Sequence, residues 1–227
     1  MFPCVCARCG ALAGRAESEF CPDCARAITE DPHFTCPRCA STVGENADVS
    51  GGCPRCRDER FHFEAAFRLG PYAGALREVV LAMKHGSGEG LAECVGRLWA
   101  RHHAGRFRAL GVDVVMPVPL HWWRRLRRGY NQTECLSAAV ARMLRVAHRP
   151  GWLRRARPTK FQTQLAPSAR RTNVRGAFRA ARRATLAGRA VLLIDDVFTT
   201  GSTTSEAARA LRDAGAKTVH VAVLAHG

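Results

Sequence analysis

The sequence predicts an α/β domain built on a parallel β-sheet and preceded by a small cysteine-rich module. Three observations lead to this prediction: an unbroken apolar run that passes through a short loop into a helical pattern, a second apolar run earlier in the chain, and four C-x-x-C pairs near the N-terminus. Buried parallel strands read as continuous apolar runs. A chain of 227 residues has room for one sizeable core and a satellite unit.

Eight cysteines define the N-terminal module. They occur as the pairs Cys6/Cys9, Cys21/Cys24, Cys36/Cys39 and Cys53/Cys56. The two thiolates of such a pair converge on one tetrahedral ion, so the pairs predict a double zinc ribbon over residues 1–58 with about two zinc ions. The segment holds few large apolar side chains, and metal binding at about 10 to 16 kcal/mol per ion would supply its folding energy.

The order of the pairs leaves two coordination schemes open. In the sequential scheme the first two pairs bind one ion and the last two pairs bind the other, whereas an interleaved cross-brace alternates them. Four thiolates fill each tetrahedral shell, which favours structural over catalytic zinc. Cys94 and Cys135 lie in helical apolar patterns, and we expect them to be buried small hydrophobic residues rather than nucleophiles.

Location is predicted from what the sequence lacks. Residues 1–11 show no basic start followed by an apolar core, and no later run approaches the roughly 18 apolar residues of a membrane-spanning helix. We therefore expect a cytoplasmic protein without membrane insertion. Disulfides are not expected, because the cytosol keeps thiols reduced.

The positive charge is concentrated in one segment. Residues 121–183 contain 17 Lys or Arg and a single acid, Glu134. The net charge of this segment is therefore +16, the same as the formal net charge of the whole chain. Such a segment attracts polyanions such as nucleic acid, nucleotides or pyrophosphate. The alternative is a basic face that is merely solvated.

The apolar run Val191–Ile194 is followed by Asp195 and Asp196, by a loop at Thr199–Thr203, and by a helical pattern at Ala207, Leu211 and Ala214. This order predicts strand, loop and helix, and ligands of parallel sheets bind at the carboxyl ends of strands. Hydroxyl groups, a glycine and a helix N-terminus together suit a phosphate monoester. Two adjacent carboxylates suit vicinal hydroxyls or hydrated Mg²⁺, so ribose 5-phosphate matches both halves.

Residues 191–203, V-L-L-I-D-D-V-F-T-T-G-S-T, resemble the motif with which type I phosphoribosyltransferases bind 5-phosphoribosyl-1-pyrophosphate (PRPP). The resemblance extends over nearly the whole chain to the ComF competence-protein family. The residues that carry it are the cysteine pairs, Tyr72, Gly74, Lys84, Pro117-Val118-Pro119-Leu120, Arg128-Gly129-Tyr130-Asn131-Gln132, Gln162, Leu165, Arg170, Asn173 and Phe178.

This resemblance implies a Rossmann-like parallel sheet with helices on both faces over residues 59–227, and a hood loop at about 154–178. It also implies a catalytic set of Asp195, Asp196 and Arg128. The implied PRPP-binding residues are Asp195, Asp196, Val197, Phe198, Thr199, Thr200, Gly201, Ser202, Thr203, Leu120, His121, Arg124 and Arg128. In the hood, the matched positions are Gln162, Arg170 and Asn173.

The implied activity is transfer of 5-phosphoribosyl from Mg²⁺-bound PRPP to an unidentified acceptor, with release of pyrophosphate and a link to DNA uptake. The alternative is a non-enzymatic, PRPP-responsive protein that binds single-stranded DNA. Trp122, Trp123 and Tyr130 interleave with arginines and would stack on bases. Otherwise they would pack on the hood or at the contact of a homodimer.

Overall fold

A computed structural model describes residues 5–13, 18–120, 122–157 and 172–227 of the chain. The described residues of the cysteine-rich part form one helix, α1 (Pro22–Thr29), and one short antiparallel hairpin of β1 (Phe34–Thr35) and β2 (Thr42–Val43). Proline at the first position of α1 suits a helix start, since that position needs no backbone N–H donor.

The predicted α/β class is confirmed by a five-stranded sheet in which every pairing is parallel. Its strands are β3 (Ala66–Pro71), β4 (Val114–Pro117), β5 (Ala147–His148), β8 (Ala190–Phe198) and β9 (Thr218–His226). The spatial order is β3-β9-β8-β4-β5. In β8, the predicted apolar run is fully buried, but the strand continues through the two aspartates because β9 pairs with it as far as Phe198.

Helices cover both faces of the sheet. They are α2 (Gly74–Ala82), α3 (Glu89–His102), α4 (Ala104–Ala109), α5 (Trp122–Arg128), α6 (Gln132–Leu144) and α7 (Ser202–Asp213). One core joins α2, α3 and α6 to the sheet, and the other joins α7 to the opposite face. Helices α3 and α6 cross closely at Gly96, where an added Cβ would lie 3.0 Å from the Cβ of Ala139.

An antiparallel hairpin, β6 (Leu153–Arg155) with β7 (Phe178–Ala180), brackets the predicted hood. Leu153 and Phe178 are buried on the α7 side of the sheet, which fixes the two ends of the segment. Most of the hood between them, including Gln162 and Arg170, lies outside the described residues.

The two halves of the cysteine-rich part pack on opposite faces of the sheet. Cys6 and Cys24 join the core of α2 and α3, whereas Cys36 and Cys39 join the core on the α7 side. The predicted domain boundary at residue 58 stays a prediction. Within the described part of the chain, no helix combines the length and apolar character needed to cross a membrane.

Candidate functional site

The candidate site lies at the carboxyl ends of three neighbouring parallel strands, β4, β8 and β9. Pro117 of β4 is level with Ile194 of β8, and Phe198 of β8 is level with His226 of β9. The backbone N–H of Val118 donates to the carbonyl of Ile194 over 2.8 Å. This register brings the chain after β4 beside the two aspartates, as expected for ligand sites at the carboxyl edge of a parallel sheet.

Asp196 is held by two partners from distant parts of the chain. Its Oδ2 lies 3.1 Å from Nζ of Lys84, just after α2, and accepts a hydrogen bond from Nε2 of Gln132, at the start of α6, over 2.8 Å. Its Oδ1 accepts from the backbone N–H of Val197 over 2.7 Å. Asp195 Oδ1 accepts from the backbone N–H of Asp196 over 2.9 Å.

The surroundings shift the pKa values of the two carboxyl groups in opposite directions. Burial, and then the neighbouring charge of Asp196, raise the pKa of Asp195 well above its usual range. Burial also opposes ionisation of Asp196, but the Lys84 ammonium and the Gln132 amide outweigh it and lower the pKa of that carboxyl. The negative charge of the pair is therefore favoured on Asp196 and opposed on Asp195.

The threonine loop, Thr199–Thr203, joins β8 to α7. The hydroxyls of Thr200 and Ser202 lie 2.8 Å apart, and Thr204 closes the first helical turn by donating to the carbonyl of Gly201 over 3.1 Å. The first N–H groups of an α-helix have no partner within the helix and favour anions. The loop therefore offers hydroxyl and backbone donors to a phosphate.

The position of Gly201 is closely surrounded by aromatic side chains. A Cβ built at Gly201 would meet the rings of Phe198 and Phe61, the latter only 2.9 Å away. The residue also has φ of +73°, which favours glycine. The aromatic packing beneath the loop and the positive φ therefore both favour glycine at position 201.

Of the motif residues before the threonine loop, Val197 is half-buried and Phe198 is buried. The Phe198 ring stacks on that of His226 with centroids 5.1 Å apart, and it meets Phe61 and Phe63 edge-on. The side chain of Phe198 therefore supports the loop from below, and only its backbone remains for a ligand.

Arg128 reaches the site through a side-chain relay. Its guanidinium donates to Oε1 of Gln132, whose amide donates to Asp196. Burial lowers the pKa of Arg128, and the charge of Asp196 opposes the shift. Asn131 caps α6 by accepting from the backbone N–H of Thr133 over 3.3 Å, which fixes the start of the helix and the place of Gln132.

Leu120 is half-buried and borders a cavity of about 430 Å³ beside the end of β4. Arg125, Arg154 and Arg157 also line this cavity, so it lies within the basic segment. His121 and the side chain of Arg124, the other two predicted residues of this loop, lie outside the described part of the chain.

The aromatic residues of the basic segment differ in accessibility. Tyr130 is buried, and its hydroxyl donates to the carbonyl of Met83, which excludes stacking on a base. Trp123 is 55% exposed, in contrast. The hypothesis of aromatic stacking is therefore wrong for Tyr130.

A larger cavity of about 800 Å³ adjoins the threonine loop, with Thr200 and Ser202 on one wall. Phe61 and His62 form a second wall, and Thr172 and Val174 from the end of the predicted hood form a third. Asn173 is half-buried between these last two residues. Of the three hood residues predicted from the resemblance, it is the one that the structure describes.

The structure groups the paired cysteines sequentially. In the first cysteine group (Cys6, Cys9, Cys21, Cys24) and the second cysteine group (Cys36, Cys39, Cys53, Cys56), all four sulfur atoms lie within 4.8 Å of one another. Tetrahedral zinc with bonds of about 2.3 Å requires sulfur atoms about 3.8 Å apart. The Cys9–Cys21 and Cys36–Cys56 separations are both 3.8 Å, so each group has the donor set and spacing of a structural zinc site.

The pKa values of two thiols in the first cysteine group are shifted in opposite directions. In the first cysteine group, burial raises the pKa of Cys24 to about 12. Burial also opposes ionisation of Cys6, but backbone N–H groups, that of Cys9 foremost, outweigh it and lower the pKa of Cys6 to about 6. The thiolate form is thus favoured at Cys6 and opposed at Cys24, and a bound dication would favour the thiolate of Cys24.

Sequence reasoning gave no site role to Lys84, Gln132 or Arg55. The first two stood among the residues that carry the resemblance, yet nothing in their local pattern indicated a contact with Asp196. Arg55 lies between two cysteines, and its guanidinium donates to the carbonyl of Thr199 over 3.0 Å. A contact across 144 residues has no local signal.

The chain is similar over most of its length to two bacterial proteins. It is 30% identical over 220 residues to "Competence protein F" of Haemophilus influenzae, which covers 95% of this chain and 94% of that protein. The chain belongs to the competence protein F family. Another member, "DNA utilization protein YhgH" of Salmonella typhi, is 31% identical over 204 residues, covering 88% of this chain and 87% of that protein.

The phosphoribosyl transferase domain family matches residues 153–227 of this ComF-family chain. This range includes the acid pair, the threonine loop and β9. Among solved structures, the glutamine PRPP amidotransferase from B. subtilis is 23% identical with a TM-score of 0.38, over 63% of this chain and 30% of that chain. Leishmania donovani UMP synthase is 22% identical with a TM-score of 0.36, over 58% of this chain and 22% of that chain.

Proposed function

We propose that this ComF-family protein binds Mg²⁺-PRPP along the carboxyl edge of its sheet and transfers the 5-phosphoribosyl group to an acceptor, releasing pyrophosphate. The observation that carries the proposal is the arrangement of three donor and acceptor sets in one row. The threonine loop follows the acid pair along the chain after β8, and Gln132 joins Asp196 to Arg128 through two hydrogen bonds. Phosphate, ribose and pyrophosphate follow one another in PRPP in the same way.

Each part of the row has its own task. The threonine loop and the N-terminus of α7 would bind the 5-phosphate through hydroxyl and backbone donors. Asp195 and Asp196 would accept hydrogen bonds from the ribose hydroxyls and orient the ring. Arg128, with the loop around Leu120, His121 and Arg124, would bind pyrophosphate, because a guanidinium donates two hydrogen bonds to phosphate oxygens.

Mg²⁺ fits the acid pair, since carboxylate oxygens and retained waters are its preferred ligands together with substrate phosphates. When bound, it would neutralise part of the charge of the leaving pyrophosphate. The bond from C1 of ribose to pyrophosphate oxygen breaks, and a bond from C1 to a nucleophilic atom of the acceptor forms. The chain contributes positioning and electrostatic stabilisation. The hood residues Gln162, Arg170 and Asn173 would exclude water from the sugar cation.

A second candidate function is binding of single-stranded DNA, favoured by one observation on the hairpin. Arg154 of β6 pairs directly with Arg179 of β7, and both side chains are exposed. Like charges directly opposite each other in an antiparallel pair destabilise it, and a bound phosphate chain would relieve their repulsion. The names of the family members also refer to DNA utilisation and competence. In this proposal the protein acts in DNA uptake in the cytoplasm, as an enzyme or as a PRPP-responsive DNA-binding protein.

Two measurements on one preparation separate these functions. Calorimetric titration with PRPP, with and without Mg²⁺, tests ligand binding, and pyrophosphate release in the presence of pooled bases, nucleotides and single-stranded DNA tests transfer. An enzyme binds PRPP and releases pyrophosphate with at least one acceptor. A PRPP-responsive binding protein binds PRPP without release, and absence of binding refutes the proposal. Sedimentation of the same preparation tests the homodimer.

A further inference from the structure

The second cysteine group lies directly against the threonine loop. Arg55 lies between Cys53 and Cys56 and immediately precedes Cys56. Its Nη2 donates to the carbonyl of Thr199 and to the carbonyl of Gly227, both over 3.0 Å. The Arg55 guanidinium therefore joins the end of β8 to the end of β9.

A second contact path runs through the buried side of the same group. Cys39 Sγ lies 3.2 Å from the hydroxyl of Ser41, which lies 3.2 Å from Nε2 of His226. The ring of His226 stacks on that of Phe198, immediately before the threonine loop. All four of these side chains are buried, so their positions are fixed by packing.

A third path reaches Gly201. Arg38, which precedes Cys39, donates to the carbonyl of Cys56 over 2.7 Å and places its guanidinium 5.6 Å from the ring centroid of Phe61. Phe61 is one of the two rings that close around Gly201. Thr199, Phe198 and Gly201 are thus each supported by a residue that the second cysteine group positions.

The first cysteine group makes no comparable contact among the described residues. Arg8 occupies the position in its pair that Arg55 occupies in the fourth pair. Its guanidinium instead donates to Glu78 of α2 over 2.7 Å and to Cys24 Sγ over 3.5 Å. The two groups therefore pack on different faces of the sheet, and within the described parts of the chain only the second group contacts the threonine loop.

We infer that Arg55 is a positioning residue for the phosphate-binding loop and that the second cysteine group, not the first, sets the geometry of that loop. The inference rests on the proposed function. A phosphate cradle binds tightly when its donors are held in place before the ligand arrives. Arg55 donates to a carbonyl of the loop, which orients the following peptide groups. A metal-bound pair of cysteines is a rigid base for this contact, because metal binding and folding of such modules are coupled.

The test compares Arg55→Met with Arg8→Met, which removes the same charge at the equivalent position of the first cysteine group. Zinc content and circular dichroism establish that both variants keep their metal and fold. Amide hydrogen exchange without PRPP is measured at Thr200–Ser202, and Mg²⁺-PRPP is titrated calorimetrically. For Arg55→Met we expect exchange about tenfold faster in the loop and affinity about tenfold weaker, as for loss of one or two hydrogen bonds. For Arg8→Met we expect parental values.

The outcomes are distinguishable from failure of the proposed function. If the parent does not bind PRPP, the proposed function is wrong, and the exchange measurement still decides whether Arg55 orders the loop. If the parent binds and both variants match it, the inference is overturned. Weaker affinity of Arg55→Met with unchanged loop exchange would also overturn it, because Arg55 would then act only by attracting the ligand through its charge.

Discussion

Lys84 and Asp196 form an ion pair inside the candidate site, with Nζ 3.1 Å from Oδ2 and the two side chains 30% and 13% exposed. The carboxylate that we propose for ribose binding is thus kept ionised by a cation of the chain itself. For Asp195, one residue earlier, burial and the neighbouring charge of Asp196 raise the pKa of the carboxyl. Two adjacent, chemically identical groups therefore have opposite effects on stability.

We predict that Asp195→Asn raises the melting temperature at pH 8 and abolishes tight PRPP binding. The raised pKa of Asp195 means that the folded state holds the proton more firmly than the unfolded state. Its contribution to stability is therefore complete below the unfolded pKa of about 3.9 and is lost as pH rises through the folded pKa. The neutral amide removes this loss. Thermal unfolding of parent and variant between pH 4 and 8 measures this difference in stability. A variant no more stable than the parent at pH 8 contradicts the prediction.

For Asp196→Asn we predict the opposite effect on stability, with a comparable loss of PRPP binding. The lowered pKa of Asp196 gives stability that is present above about pH 3.9 and lost as pH falls through the folded pKa. Replacing the carboxylate leaves Lys84 without its ion pair, and loss of charged hydrogen bonds costs about 1.5 to 3 kcal/mol. Urea unfolding at pH 7 should show this decrease in the free energy of unfolding, and the decrease should be smaller at pH 3. Equal stability of the two asparagine variants would show that the proposed charge separation is wrong.

Replacement of Gly201 by alanine should weaken both the fold and PRPP binding. The added Cβ meets the rings of Phe198 and Phe61, and the residue must keep a positive φ. Overpacking costs about 1 to 3 kcal/mol, and moving the rings displaces the loop above them. Chemical unfolding and PRPP titration measure the two effects. Gly188→Ala is a matched control, because Gly188 also has a positive φ, +73°, with nothing near its Cβ. If both variants behave alike, backbone strain rather than aromatic packing is the cause.

We predict about two zinc ions in the parent and about one in each of Cys21→Ala and Cys39→Ala, since each substitution opens one shell of four thiolates. Elemental analysis of purified protein gives the ratio. Cys94→Ala, outside both groups, should keep the parental value. Metal-free parent protein, or a Cys39→Ala variant that retains two ions, would refute the assignment of two independent sites.

The basic segment should bind single-stranded DNA in a salt-dependent way. If about five phosphates are contacted, log affinity falls against log salt with a slope near −3.5, and removing two contacts reduces the slope by about 1.4. We expect this reduction for the double variant Arg154→Ala, Arg179→Ala, without loss of stability, because the two like charges face each other. The control is Arg26→Ala, Arg108→Ala, which removes two exposed charges outside the segment. A flat salt response, or equal slopes in both double variants, would contradict DNA binding by the segment and indicate a basic face that is merely solvated.

Much of the candidate site could be predicted because its signals are local. The strand, the acid pair, the threonine loop and α7 occupy 24 consecutive residues, from Ala190 to Asp213, so periodicity and residue type indicate them directly. The cysteine pairs are equally local, and their spacing predicted two four-cysteine sites. The choice between sequential and interleaved pairing is not local, because it depends on which pairs meet in space, and only the structure answered it.

The remaining features were decided by tertiary structure. Sheet order β3-β9-β8-β4-β5 brings α6 beside the end of β8, which places Gln132 on Asp196 across 64 residues. The same packing sets Arg55 on Thr199 and closes two aromatic rings around Gly201. Such contacts depend on distances between elements that are far apart in sequence, and no residue pattern within one element encodes them. The sequence by itself thus determined the order of strand, acid pair, loop and helix and the eight paired cysteines, whereas the tertiary structure decided what holds these groups in position and which of the two aspartates favours the charged form.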